Sequence, residues 1–241
     1  TVLAPQTICC VHRGIHMPRV IISLFLVAMV GCNQSSVSTG DHSRYASIQL
    51  PPKTLALSVD QQAYVDSIDD PEEQAFMRDR LRFKRRGEMI RTIRERDGGS
   101  ISTPPSAFVV LATATQVSGT AVGYAGTMSP EVEAWRVLLA QPDASDAFRR
   151  LFERGTLVGQ FYALCGLHLI DRPEYNRLAP AYFQQDDGVS GMIYGCCSDW
   201  YMLPVLEPCV TDGSLPAYFR SGEYTEEMDR KLHSEAAAVK P

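Results

Sequence analysis

The spacing of apolar residues changes character along the chain. From Asp70 to Asp97, Phe76, Met77, Leu81, Phe83, Met89, Ile90 and Ile93 recur at helical intervals but form a broken stripe. Asp70 is placed to cap, Pro71 to occupy the first turn, and Glu72 and Glu73 to face the positive end of the helix dipole. Gly98-Gly99 is placed to stop the helix. The pattern predicts one long helix here. Further on, Phe108-Val109-Val110-Leu111 and the Thr/Val-rich residues after it are β-prone, and Gly119, Gly123 and Gly126 oppose a long helix. One or two short extended pieces, or an ordered loop, are expected over 101–128.

Helical periodicity returns at Ser129-Pro130-Glu131, with Val132, Trp135, Leu138 and Leu139 on one face. Asp143 or Ser145 opens a second helix, with Phe148, Leu151 and Phe152 inward, and Gly155 ends it. Thr156 opens a third, through Leu157, Phe161, Leu164, Cys165 and His168 to Asp171. Arg172-Pro173-Glu174 starts a fourth, with Tyr175, Leu178 and Phe183 inward. The pair 145–154 and 156–170 is HEAT-like: a short helix, a tight turn and a longer apolar helix. Gly159, Ala163 and Gly166 would let a neighbour approach closely. Residues 189–218 read as compact but irregular, broken by Gly191, Gly195, Pro204, Pro208, Gly213 and Pro216, with a short strand at Val189 to Tyr194. Tyr194, Trp200, Tyr201 and Tyr218 cluster there, and are expected to fill a small core, the rival reading being an aromatic patch that grips a partner or a sugar. A polar tail follows, with a loosely held helix over 226–239.

Near the start, Met17-Pro18-Arg19 precedes ten largely apolar residues, Val20 to Met29, and then Val30-Gly31-Cys32. That run is too short to span a bilayer, which takes about 20 residues, and matches the core of an export signal. Met29-Val30-Gly31-Cys32 resembles the lipobox of bacterial lipoproteins. The resemblance covers residues 17–32 and implies cleavage before Cys32 and acylation of its thiol. Cys32 would then hold the chain to membrane lipid. It also implies that 17–31 are the signal peptide. The start at Thr1 rather than Met reads as a fragment or as an upstream extension over 1–16, with Met17 the expected start, and the Ser, Thr, Gln and Gly content with Pro51-Pro52 makes 32–56 the lipidated cysteine and a flexible tether. Asn33, in place of the aspartate linked to inner-membrane retention, mildly favours the outer membrane of a two-membrane cell.

The resulting fold class is mainly α. A charged helical segment (57–100) precedes a compact helical domain (101–225) with the HEAT-like αα pair, a small irregular region rich in cysteine and aromatic residues, minor β structure, and a tail at 226–241. Net charge is −5, and losing Arg13 and Arg19 with the signal takes it to −7, so nucleic acid is not an expected partner. Residues 78–96 nevertheless hold nine basic side chains against three acidic ones. A solvated, internally paired helix is the preferred reading of that stretch, and a face for anionic lipid or an acidic partner the rival one.

Four cysteines remain beyond Cys32: Cys165, Cys196, Cys197 and Cys209. In an oxidising compartment the favoured bridge joins Cys209 to Cys196 or Cys197, with Cys165 a buried small residue. The rival is a zinc set of Cys165, His168, Cys196 and Cys197. No GxSxG, HExxH or phosphate-loop motif occurs, and Ser118 and Ser190 read as isolated loop serines. The expected function is binding or scaffolding at the cell envelope, without a cofactor and with an envelope protein as partner. The alternative is an exported zinc enzyme built on those cysteines and His168.

Overall fold

A computed structural model describes Tyr45 and residues 49–52, 55–195 and 198–234. The export signal, Cys32 and most of the tether, along with Cys196 and Cys197, lie outside the described residues. Ten helices and one three-stranded sheet follow in the order α1 (Val59–Asp66), α2 (Pro71–Asp97), α3 (Pro104–Ala112), β1 (Gln116–Val122), α4 (Pro130–Leu139), α5 (Ala144–Arg154), α6 (Leu157–Ile170), α7 (Arg172–Phe183), β2 (Gly188–Gly195), β3 (Asp199–Met202), α8 (Leu203–Thr211), α9 (Ser214–Ser221) and α10 (Glu226–Ser234). The chain is mainly α with minor β. All described core residues belong to one compact unit, Thr39–Pro241.

Helix starts follow the expected chemistry. Asp70 accepts from the Glu72 and Glu73 amides, Ser129 from Val132 and Thr156 from Gly159. Ser58 and Gln61 form a reciprocal capping box that starts α1, a helix the apolar spacing did not announce.

Helix α6 is the axis of the domain. Nine of its fourteen residues are buried, Val158 to Leu167 apart from Gln160, so it is enclosed on nearly all sides. Two glycines admit its neighbours, as the spacing anticipates. A Cβ on Gly159 would lie 2.7 Å from the Leu111 carbonyl oxygen, and one on Gly166 would lie 2.5 Å from the Phe148 ring. The two-residue Gly155-Thr156 link joins α5 to α6, giving the HEAT-like hairpin. Trp135 on α4 is fully buried, and its indole N–H donates to the Tyr162 carbonyl at 3.0 Å.

Three local expectations are corrected. Phe108 to Leu111 are helical: Ala107 to Ala112 are all buried, and a helix enclosed on every face outweighs β propensity. Residues 203–221 are two helices: Pro204 and Pro216 sit in first turns, where a missing N–H breaks no helical bond, while Pro208 lies inside α8 without ending it. The helix α10 is held firmly, with Met228 and Leu232 each 1% exposed. In addition Tyr45, inside the expected tether, is buried and stacks on Phe108 at 5.0 Å, so ordered packing begins before residue 57.

The sheet order is β1-β2-β3, with β1 and β2 parallel and β2 and β3 antiparallel. Four helices, α4 to α7, form the crossover that parallel pairing requires. The outer edge of β1 has no strand partner among the described residues; the Tyr162 hydroxyl supplies bonds there, and the Tyr218 hydroxyl supplies those missing inside the β1–β2 pairing. The Tyr162 hydroxyl accepts from the Ser118 amide at 2.7 Å and donates to the Ser118 carbonyl at 2.8 Å. The β1–β2 register slips between Ser118 and Ala121. There the Tyr218 hydroxyl accepts from the Thr120 amide at 3.0 Å and donates to the Ile193 carbonyl at 2.8 Å. Burial pushes the Tyr162 phenol well above its ordinary pKa, so it stays a neutral donor and acceptor.

Tyr162→Phe strands a buried backbone amide and carbonyl, and is expected to lower the unfolding free energy in urea by about 1–3 kcal/mol. A loss near zero would show that the bridge is dispensable. Glycine substitutions should split in sign. Gly166→Ala drives a methyl into Phe148 and should destabilise by about 1–3 kcal/mol. Gly87→Ala, with open space around it, should stabilise α2 by about 0.5–1 kcal/mol.

Candidate functional site

The register of the strands sorts their side chains into two faces. Val117, Val189, Gly191, Ile193 and Tyr201 turn inward, and the Tyr201 ring crosses Gly191. On the other face, Gln116 lies opposite Ser190, Ser118 opposite Met192, and Ser190 opposite Trp200. Ser118 and Ser190 thus stand on neighbouring strands: Ser190 falls in the strand expected at Val189 to Tyr194, and Ser118 is corrected from its reading as a loop serine. Strand alternation carries the same outward face on to Tyr194.

This outer face holds two exposed aromatics, Trp200 and Tyr194. Trp200 is 64% exposed and lies over Gly188, where any Cβ would strike the indole. Tyr194 is 57% exposed and stacks on Tyr224 at 4.3 Å, with 10° between the planes. Tyr224 is fixed in turn by an edge contact with Tyr218 at 5.4 Å and by donating to Asp229 at 2.8 Å. Tyr124 is fully exposed in the turn after β1, where the Gly123 amide bonds the Gly195 carbonyl. The expected aromatic core cluster is therefore split: Tyr201 and Tyr218 are interior, whereas Tyr194 and Trp200 face outward. Burial and the neighbouring Asp199 raise the Tyr201 phenol to about 12. The short strand β3 forms the other edge of the sheet beside Trp200. Tyr124 and Tyr224 escaped sequence reasoning because their neighbours carry no periodic pattern; the glycines around Tyr124 marked the turn but not its contact with β2.

His168 stands elsewhere, at the C-terminal end of α8. Its Nε2 lies 3.1 Å from the Thr211 carbonyl, which also accepts from Arg172 at 3.2 Å. Tyr175 bonds the Thr211 hydroxyl at 2.9 Å, packs its ring edge against His168 at 5.0 Å and lies under the Arg172 guanidinium. A carbonyl only accepts, so the imidazole proton sits on Nε2 and the buried Nδ1 is left without a partner among the described residues. Burial, with the positive charge of Arg172, holds the His168 pKa below 6.5, against an opposing pull from Asp212. The group is arranged as a cap for the exposed carbonyls of a helix end, where cations are favoured. It does not bring a serine hydroxyl to the imidazole: Ser118 bonds Gln116 instead.

Cys165 is fully buried, and burial together with nearby Cys209 keeps its thiol protonated well above the usual range. Cys209 is buried as well. The remaining members of the expected bridge and of the zinc set, Cys196 and Cys197, fall outside the described residues. Among the described residues, no three His, Cys, Asp or Glu side chains converge on a metal position, and no helix is long and apolar enough to cross a membrane. Comparison with known protein families, curated proteins and solved structures gives no match.

The depressed His168 pKa has a definite sign. The folded state takes up the proton less readily than the unfolded chain, so stability is fully present above pH 6.5 and falls as pH drops below it. His168→Gln keeps a donor for Thr211 but does not titrate. It should shrink the difference in urea midpoint between about pH 7 and pH 5; an unchanged difference would remove His168 as its source.

Proposed function

We propose that this chain is a bacterial lipoprotein, anchored through acylated Cys32, whose helical domain binds a protein partner at the cell envelope. The observation that carries the binding part is the outward row of Trp200 and Tyr194 beside the edge strand β3, on a sheet whose other face is buried. An edge strand offers unpaired backbone groups to an extended segment, and large aromatics are the side chains that most often anchor an interface. The Tyr162 bridge on the opposite edge and the Tyr218 bridge between β1 and β2 brace the platform, which lowers the entropy lost on binding. The anchor part is supported by Met29-Val30-Gly31-Cys32 after a short apolar run. The acidic net charge gives no electrostatic attraction to nucleic acid.

Each part has its own test. In cells fed a clickable palmitate analogue, the parent chain should carry label in the membrane fraction and Cys32→Ser should carry none; label persisting in Cys32→Ser overturns the anchor. A photo-crosslinking residue at position 200 of the anchored protein should trap a discrete partner that the same residue at exposed position 153 does not. Equal capture at both positions, or none at 200, overturns the sheet face as the binding surface.

A further inference from the structure

The helix α2 is 27 residues long, about 40 Å at 1.5 Å per residue, yet Ile90 is its only buried residue. The hydrogen bonds and ion pair that tie it to the rest of the chain come from its C-terminal half. Arg85 donates to the Ala56 carbonyl and Arg86 to that of Pro51, while Arg94 pairs with Glu131 at 2.6 Å. Toward the N-terminus the same stripe that buries Ile90 is open. Phe76 and Phe83, seven residues apart, are 63% and 80% exposed on it. Arg80 and Lys84 lie within a turn of them, and neither has an ion-pair partner among the described residues. Arg91 extends the row and touches Glu95 only at 3.9 Å. Gly87, between Phe83 and Arg91, has nothing within reach of a Cβ.

The charge is local. Residues 78–96 carry six net positive charges, so the remainder of the chain carries −11. A negatively charged surface would therefore attract this helix and repel most of the rest of the molecule, which sets an orientation as well as an affinity. The exposed rings and cations belong to a single helix. Separated aromatics flanked by long cationic side chains suit a headgroup layer, which accepts rings at shallow depth and ammonium or guanidinium groups beside phosphates.

We propose that the outward face of α2, with Phe76, Arg80, Phe83, Lys84 and Arg91, docks on an anionic phospholipid bilayer. It rests on the lipoprotein reading for the presence of a membrane nearby. Acylation alone leaves a domain free to swivel; a second contact of this kind would fix which side faces outward, and would turn the basic side of the chain toward the lipid and the acidic bulk away from it.

The test uses residues 39–241, the unit that contains the whole described core and lacks Cys32, so the result is independent of acylation. Sedimentation with phosphatidylcholine vesicles should be weak, and adding phosphatidylglycerol should increase it, reversibly with salt. R80Q/K84Q should lower the partition coefficient by about 25-fold at low ionic strength, close to fivefold per cation. F76S/F83S should lower it on the same vesicles, while R149Q/R177Q, elsewhere on the surface, should not. All the altered side chains are exposed, so circular dichroism and melting should match the parent. Equal binding to both lipids overturns the proposal. So does binding to phosphatidylglycerol that neither α2 double variant weakens, the result expected if this face serves an acidic protein instead. Failure of the anchor reading would appear separately, as palmitate label persisting in Cys32→Ser.

Discussion

Two phenol oxygens hold the sheet to the helices. A three-stranded sheet in a helical protein has two edges, and β1 is buried along one of them, where water cannot complete its hydrogen bonds. A fourth strand would solve this, but the chain has none among its described residues. Tyr162 and Tyr218 each place one hydroxyl between groups that a strand would otherwise serve, Tyr162 along the free edge and Tyr218 inside the register slip. A hydroxyl both donates and accepts, so one atom answers an amide and a carbonyl together. The slip itself needs Gly119, since any Cβ there would collide with the Ile193 carbonyl. The rest of the architecture is consistent with this arrangement: α6 carries Tyr162, α9 carries Tyr218, and both helices are packed against β1.

Where local chemistry decides, the chain is readable. The ends of α2 follow from Asp70, Pro71 and Gly98, and the starts of α4 and α6 from Ser129 and Thr156. The close packing around Gly159 and Gly166 follows from their place on an apolar helix. Where tertiary context decides, it is not. Phe108 to Leu111 favour a strand in isolation and become helical because the surrounding elements bury every face of that segment. Pro204 and Pro216 look like breaks until their positions within the first turns are known. Ser58 and Gln61 did carry a usable signal for α1, but the weak apolar content of that helix masked it.

The candidate site was half legible. The aromatic cluster was visible as composition, but whether each ring points in or out depends on strand parity. Parity follows from the pairing register, which no local feature sets. Trp200 and Tyr201 are adjacent, and so fall on opposite faces. His168 showed the opposite problem. It was conspicuous as the lone histidine of the core region, and its surroundings make it part of a helix cap. The Arg-rich stretch read as a solvated helix on its charges, and the outward placement of Phe76 and Phe83 adds what the charges alone do not supply.

The tyrosine bridges also imply an order of assembly. Tyr162 lies 44 positions from Ser118, nearer along the chain than any β2 partner of β1, whereas Tyr218 lies 98 positions from Thr120. Closing the shorter loop loses less chain entropy. Helix α6 can therefore clasp β1 while β2 is still unpaired, shielding a bare strand edge during the interval when it could pair with another molecule. Tyr218 can close only after β2 has arrived, as the last latch on the slip. Pulse-labelled hydrogen exchange in which the β2 amides gained protection before Ser118 would reverse that order.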